Sequence, residues 1–170
     1  MKKILFATKN NSKLERYSEK LKERGIEVIS LNDIDVDIDV VESANTAVEN
    51  AILKAKAYYD ATKILTMAID DTMYIEGIPD DKQPGVYVRR VNGKRLNDEE
   101  MIHHYTELVK KYGNQGKLKT KWILGLAIIK DGKTFTYEGI TNEYYLSDKP
   151  TKERKEGYPL SSILINVKAN

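Results

Sequence analysis

Apolar positions in the first part of the chain change from a short run to a helical stripe and back to a short run. Residues 2–8 (KKILFAT) predict a buried strand, which a polar turn follows. Ser12 and Glu15 have the spacing of a capping box, so we expect a helix to begin at Ser12 and to stop at Gly25. Residues 26–31 (IEVISL) are the next predicted strand. The order of strand, helix and strand predicts a parallel β-α-β unit.

Three further elements are predicted before the middle of the chain. Aspartate alternates with aliphatic residues over residues 33–40 (DIDVDIDV), which is the pattern of a half-buried strand. Aspartates two apart on an extended segment cannot converge on one ion, so we interpret them as a solvated face and not as a calcium site. A second capping box, Thr46 with Glu49, predicts a helix to about residue 60. The run at residues 63–69 predicts a strand after this helix.

The later part of the chain is richer in strand patterns. Asn97 and Glu100 mark the start of an amphipathic helix, and Asp131-Gly132 is a two-residue hairpin signal. Strands are predicted at residues 121–130, 133–140, 141–146 and 161–167. We therefore expect an α/β fold in which a mixed, elongated central sheet has flanking helices. We expect one domain over residues 1–170, and two lobes around an active-site cleft within it are compatible with this pattern.

Composition excludes several classes of site. The chain has 41% hydrophobic residues, and its 28 basic and 26 acidic residues give a net charge of +2, which favours neither the presence nor the absence of a nucleic-acid partner. The absence of cysteine excludes a disulfide framework, a thiolate nucleophile and a cysteine zinc site within these 170 residues. The apolar run near the N-terminus is too short for a signal peptide or a membrane span. We expect a cytoplasmic protein with no membrane partner.

The polar turn after the first predicted strand is a candidate anion site. It contains Thr8, Lys9, Asn10, Asn11, Ser12 and Lys13. Backbone amides at a helix N-terminus, together with hydroxyls and lysines, suit a phosphate group. The alternative is that Ser12 only caps the helix and that the lysines are solvated, since the turn has no glycine-rich phosphate loop.

A second group of candidates is acidic. Asp70 and Asp71 end the predicted strand at residues 63–69, at the edge where ligands usually bind in α/β sheets. They form either a solvated turn or, with Glu42, a set of hard oxygen ligands for Mg²⁺. On the predicted helix, Asn50 and Lys54 are four residues apart and share a face, where Lys54 could contact phosphate.

These clusters, in this order, resemble the inosine/xanthosine triphosphate pyrophosphatase family. The family's motif T-x-N-x-x-K matches Thr8, Asn10 and Lys13, and its glutamate before an E-N-A-x-x-K-A helix matches Glu42 and residues 49–55. The family's acidic strand end matches residues 70–72, and its P-G-x-Y segment matches residues 84–87. The second half departs from the family: residues 156–160 only partly match its G-[FY]-[GD]-x-P segment, and its S-H-R motif is absent from the 170 residues.

The resemblance implies Mg²⁺-dependent hydrolysis of non-standard purine nucleoside triphosphates to a monophosphate and pyrophosphate. It implies that Glu42 and Asp71 hold Mg²⁺ with Asp70 in support, and that Asp71 is the catalytic carboxylate. Lys13 and Lys54 would bind the phosphates, aided by Thr8, Asn10 and Thr72. By analogy with relatives, a homodimer is expected.

Two other functions stay open at this point. One is a catalytically weak nucleotide-binding or sensing paralogue with altered base specificity, which the missing motif favours. The other, which we consider the weaker, is nucleic-acid binding through a basic loop that contains Arg89, Arg90, Lys94 and Arg95.

Overall fold

The structure is a computed structural model and describes residues 2–167 of the chain. Strands and helices are numbered separately in chain order. The helices are α1 (Asn11–Lys22), α2 (Ala47–Thr62) and α3 (Asp98–Tyr112). The strands are β1 (Lys2–Phe6), β2 (Ile26–Ile29), β3 (Thr66–Ile75), β4 (Arg90–Val91), β5 (Lys94–Arg95), β6 (Lys117–Lys130), β7 (Lys133–Ser147) and β8 (Leu164–Asn166).

Six of these strands form one mixed sheet in the order β2-β1-β3-β6-β7-β8. β1 runs parallel to β2, with Lys2 opposite Ile26, and also parallel to β3, with Leu5 opposite Thr66. β8 pairs antiparallel with the end of β7. β4 and β5 form a separate two-stranded sheet. The predicted α/β fold with a mixed central sheet is confirmed.

Side-chain caps determine where the helices begin. Thr46 caps α2 by accepting a hydrogen bond from the Glu49 amide, and Asn97 forms a full capping box with Glu100 on α3, as predicted. The prediction that Ser12 caps α1 is wrong. Asn10 is the cap, because its Oδ1 accepts a hydrogen bond from the Lys13 amide at 3.1 Å, so the helix already begins at Asn11.

The predicted strand at residues 33–40 is also wrong. Residues 34–46 form neither helix nor strand, although their exposure still alternates residue by residue up to Val40. Their aliphatic side chains pack on the core cluster that contains Ala51, Ala55 and Tyr58 of α2. Aspartate has a low strand propensity, and this segment lies against a helix surface without a strand partner. We call residues 34–46 the strap.

The strand predicted at residues 63–69 begins later and extends further than expected. β3 continues through both aspartates to Ile75, so Asp70 and Asp71 lie inside the strand and not at its end. The parallel pairing with β1 stops earlier, at Phe6 opposite Met67. The carboxylates therefore lie just beyond the point where the neighbouring strand ends.

The later strands are fewer than predicted: β6 and β7 are longer than expected, and β8 is shorter. Asp131 and Gly132 form the expected turn, each with a positive φ (50° and 72°), as a type I′ hairpin requires. After this turn β7 is continuous, so the strands predicted at residues 133–140 and 141–146 are one element. The segment at residues 161–167 is a short 3₁₀ turn followed by β8.

The chain forms two compact units, each with its own apolar core. One unit contains the chain up to Asp71 together with Leu124–Gly139, and the other contains Thr72–Ile123 and the chain from Ile140 onward. In the first unit, apolar side chains cover both faces of the sheet, one cluster including Tyr58 and Ala68 and the other Phe6 and Ile69. The core of the second unit centres on α3. Within residues 2–167 no helix is long and apolar enough to cross a membrane. That the chain is a single domain stays a prediction.

Candidate active site

Two neighbouring carboxylates of β3 lie on opposite faces of the sheet. Side chains alternate along a strand, and Ala68 and Ile69 belong to the cores of opposite faces. Asp70 lies on the same face as Ala68, towards α2, and Asp71 lies on the same face as Ile69, towards α1. Each carboxylate therefore meets a lysine from a different helix.

On the first face, Lys54 of α2 contacts three oxygen atoms. Its Nζ lies 3.2 Å from Asp70 Oδ1, 3.1 Å from Glu42 Oε1 and 3.1 Å from the Ile69 carbonyl oxygen. The side chains of Lys54 and Asp70 are 14% and 12% exposed, while that of Glu42 is 45% exposed. We call this group the Lys54 centre. It brings together Glu42, Asp70 and Lys54, three of the candidate site residues.

On the other face, Lys13 of α1 forms a single short ion pair. Its Nζ lies 2.7 Å from Asp71 Oδ2, and the two side chains are 17% and 27% exposed. We call this pair the Lys13 centre. The family resemblance implies that Glu42 and Asp71 bind the metal together. In the structure, however, Glu42 and Asp70 contact the same lysine, Lys54, and Asp71 contacts Lys13.

Burial perturbs both centres. The pKa of Asp70 is raised because the carboxyl is desolvated, an effect that the charges of Lys54 and Lys13 oppose only in part and that the charge of Glu42 increases. Burial alone would lower the pKa of Lys13, but the charge and hydrogen bond of Asp71, with a further contribution from Asp70, raise it overall. Lys13 therefore stays a firmly charged ammonium, and Asp70 binds a proton more readily than an exposed aspartate.

The polar turn between β1 and α1 is ordered by its own side chains. Thr8 Oγ1 accepts a hydrogen bond from the Asn10 amide at 3.2 Å, and Asn10 in turn caps the helix. Ser12, partly buried, and Asn11, exposed, fall in the first turn of α1, where the helix dipole favours an anion. Lys9 is mostly exposed and pairs with Asp37 of the strap at 2.8 Å. Lys13 is the lysine of this turn that faces the carboxylates.

The donor set suits a hard divalent cation that is completed by other ligands. Asp70 Oδ2 is buried and has no hydrogen-bond partner in the described part of the chain, so one carboxylate oxygen remains available. Among residues 2–167, no three acidic or histidine side chains are arranged to hold a metal by themselves. Mg²⁺ commonly uses one or two carboxylates and takes its other ligands from water and substrate phosphates. The residues present fit such an ion.

Three features that support the Lys54 centre were not predicted as parts of a site. The Ile69 carbonyl has no sequence signal, since any residue supplies one. Asn50 is 1% exposed and bonds to the strap, and a helical asparagine of this kind could have indicated it. Gly125 of β6 lets α2 approach the sheet, because a Cβ there would lie 2.2 Å from the Val48 amide nitrogen.

The basic loop considered for nucleic-acid binding is partly neutralised by α3. Arg89 pairs with Asp98 at 2.7 Å, and Lys94 pairs with Glu100 at 2.6 Å. These pairs account for two of the four basic residues. The loop therefore presents less positive charge than its sequence indicates.

The chain is similar to known proteins over most of its length. The sequence profile of the Ham1 family matches residues 4–161. A dITP/XTP pyrophosphatase of Bacillus subtilis is 32% identical over 160 residues, which cover 93% of this chain and 78% of that protein. A dITP/XTP pyrophosphatase of Leptospira interrogans is 31% identical over 148 residues, which cover 84% of this chain and 73% of that protein.

Solved structures show the same fold. The Ham1 protein of Staphylococcus aureus superposes with a TM-score of 0.75 at 26% identity, covering 99% of this chain and 83% of that one. A HAM1 protein of Coxiella burnetii gives a TM-score of 0.76 at 26% identity, covering 96% of this chain and 81% of that one.

Proposed function

Because this chain belongs to the Ham1 family, we propose that it hydrolyses non-standard purine nucleoside triphosphates, such as ITP, dITP and XTP, to the nucleoside monophosphate and pyrophosphate. The names of its relatives, dITP/XTP pyrophosphatases, support this substrate class. The observation that carries the proposal is the pair of lysine–carboxylate centres on β3. Two partly buried lysines and three carboxylates are the groups that a triphosphate and its metal ion require.

Lys13 and Lys54 would bind the phosphates. Each lysine is held by carboxylates in the free protein, at 2.7 Å for Asp71 and 3.2 Å for Asp70. Phosphate oxygens can replace one of these partners without leaving an ammonium unpaired. Thr8, Asn10 and the first turn of α1 border Lys13 and would contact the same anion, and Thr72, next to Asp71, stays a predicted contact.

Asp71 would be the catalytic carboxylate. It would accept a proton from the water molecule that attacks the α-phosphorus, while the bond from that phosphorus to the bridging oxygen breaks. The leaving group is pyrophosphate, and the water supplies the new oxygen of the monophosphate. The ammonium of Lys13, 2.7 Å from Asp71, would keep this carboxylate oriented until substrate arrives.

The metal assignment is Mg²⁺. Glu42 and Asp70 would bind it on the sheet face that Lys54 contacts, and Asp71 is the next residue of β3. Asp70 Oδ2, which is buried and has no hydrogen-bond partner among the described residues, supports this choice. When bound, the ion neutralises charge that develops on the phosphates.

A substrate panel tests the proposal directly. Purified protein with Mg²⁺ is given ATP, GTP, dITP, ITP and XTP, and pyrophosphate and orthophosphate are measured separately. We expect pyrophosphate, fastest from the deaminated purines. Orthophosphate as the first product would contradict cleavage at the α-phosphorus.

The same panel tests the second hypothesis, a catalytically weak nucleotide-binding paralogue. Binding of nucleotide with Mg²⁺ but without pyrophosphate would favour it.

The homodimer and the cytoplasmic location also stay predictions, and light scattering of the purified protein tests the first of them.

A further inference from the structure

The strap reaches the Lys54 centre without being part of the sheet. It brings Glu42, the acidic ligand candidate that is not on β3, to within 3.1 Å of Lys54. Glu42 lies in irregular chain and its side chain is 45% exposed. A carboxylate in such a position needs a restraint from elsewhere, because an unsupported loop would lose its geometry to conformational entropy.

Two buried side chains of α2 hold the strap through its backbone. Tyr58 is 2% exposed, and its hydroxyl donates to the Ile38 carbonyl at 3.2 Å and accepts from the Ile38 amide at 3.4 Å. Asn50 is 1% exposed, and its Oδ1 accepts from the Ala44 amide at 3.0 Å while its Nδ2 donates to the Ala44 carbonyl at 3.4 Å. Each side chain pairs with both polar groups of one residue, as a neighbouring strand would.

The two restraints differ in their distance from Glu42. Ala44 is two residues from Glu42, and Glu42 itself is the central residue of a tight turn, which a 3.1 Å hydrogen bond from the Ser43 amide to the Val41 carbonyl oxygen closes. Ile38 is four residues away on the other side. Asn50 is also one helical turn before Lys54, so one stretch of α2 holds both the strap and the lysine that Glu42 meets.

We propose that Asn50 is a positioning residue for Glu42: through its two hydrogen bonds to Ala44 it fixes the carboxylate where the metal-dependent reaction needs it. This role rests on the proposed function, in which Glu42 is a Mg²⁺ ligand. Asparagine is a poor residue for a helix interior, and a buried amide is costly unless both its polar atoms are bonded. Residues that orient a metal ligand typically change metal affinity by about 10–100-fold when they are replaced.

The first test measures the strap itself. In Asn50→Ala, amide hydrogen exchange at residues 41–45 should accelerate about tenfold or more, while α2 stays protected. Tyr58→Phe is the matched control, because it removes only the hydroxyl and releases Ile38 instead of Ala44. Unchanged exchange at residues 41–45 in Asn50→Ala would overturn the proposal. If Asn50→Ala does not fold, Asn50→Ser supplies the same comparison with a smaller polar side chain.

The second test asks whether Asn50 acts through Glu42. Mg²⁺ is titrated by calorimetry into protein that holds an α,β-methylene analogue of ITP, which cannot be hydrolysed. Asn50→Ala should weaken Mg²⁺ binding about tenfold, and Tyr58→Phe by less than about twofold. In a Glu42→Gln background, Asn50→Ala should have no further effect. An equal loss in both backgrounds would overturn the positioning role.

The two proposals fail in different ways. Absence of pyrophosphate from the wild-type protein with every substrate would overturn the proposed function. The exchange comparison between Asn50→Ala and Tyr58→Phe does not depend on turnover, so it still decides whether Asn50 holds the segment that carries Glu42.

Discussion

The Lys54 and Lys13 centres use the same two chemical groups but differ in charge and in number of partners. At the Lys54 centre one ammonium meets two carboxylates and a carbonyl oxygen. At the Lys13 centre one ammonium meets one carboxylate at 2.7 Å. If all these groups are ionised, the first centre has a formal charge of −1 and the second is neutral. The excess of negative charge at the Lys54 centre favours the binding of a cation. At the neutral Lys13 centre, an anion can replace Asp71 as the partner of the ammonium.

This difference separates the roles of two adjacent aspartates. Asp70 is buried, has a raised pKa and keeps one oxygen unbonded, which suits a metal ligand. Asp71 is more exposed and is held by one lysine, which suits a group that must reach water and substrate. The predictions below test this division, beginning with the largest expected effect.

Asp71→Asn should nearly abolish turnover. The amide cannot accept the proton of the attacking water, so kcat should fall by about 10³-fold or more. Pyrophosphate release measures the effect, and circular dichroism checks that the fold is kept. Release at the wild-type rate from a folded Asp71→Asn would contradict the catalytic role.

Lys54→Met should destabilise the fold more than Lys13→Met. Without Lys54, Asp70 and Glu42 face each other uncompensated, which should lower the free energy of unfolding by about 2 kcal/mol, against about 1 kcal/mol for the loss of Lys13. Urea denaturation measures both, and Lys56→Met, which removes an exposed pair with Asp60, is the control. Lower pH should reduce the Lys54→Met effect, since protonation of Asp70, whose pKa is raised by burial, removes one of the two charges. Equal losses at the two centres would refute the comparison.

Gly125→Ala should disturb the Lys54 centre through the backbone. Its Cβ would lie 2.2–2.6 Å from backbone atoms of Ala47 and Val48, so α2 must move away from the sheet. We expect a loss of about 2 kcal/mol in denaturant unfolding. Gly139→Ala is the control, because its Cβ would meet only the movable side chain of Tyr137. A similar loss in both variants would show that close packing of α2 is not the cause.

Asp70→Asn should have the smallest effect on stability, and in the favourable direction. Since the folded state raises the pKa of Asp70, the folded protein binds this proton more tightly than the unfolded chain does. The ionised form therefore costs stability at neutral pH, and this cost disappears as the pH falls from the raised folded pKa to the ordinary value of about 3.9. The variant should be more stable by up to about 1 kcal/mol at pH 7, with the advantage shrinking in acid. Thermal unfolding measured across this pH range checks the sign, and a difference that grows in acid would contradict it.

The sequence predicted the elements whose signals are local. The helix caps at Thr46 and Asn97 and the Asp131-Gly132 turn are each formed by residues at most four positions apart. The direct pairing of Lys54 with Asp70 was not predicted, because no local signal links a helix residue to a strand residue 16 positions later. The resemblance to a known family rested on the order in which the candidate clusters occur along the chain.

The errors arose where distant partners decide the conformation. The alternating segment at residues 33–40 forms no strand because its aliphatic side chains pack on α2 and its backbone hydrogen-bonds to Tyr58. β3 continues past its aspartates because lysines from two helices compensate their charges there. The Ser12 prediction failed more locally, since Asn10 caps the same helix two residues earlier, and asparagine and serine are about equally good caps.

The adjacency of the two aspartates has a consequence for how this protein can change in evolution. One peptide unit separates the two carboxylates along the chain, yet the pleat of β3 turns them to opposite sides of a sheet. Substitutions near α1 can alter one acid without altering the surroundings of the other. Inserting a single residue between them would instead turn both acids to the same face, where they would compete for one lysine. We therefore expect the spacing of this pair to tolerate insertion less well than either acid tolerates a change in its neighbours.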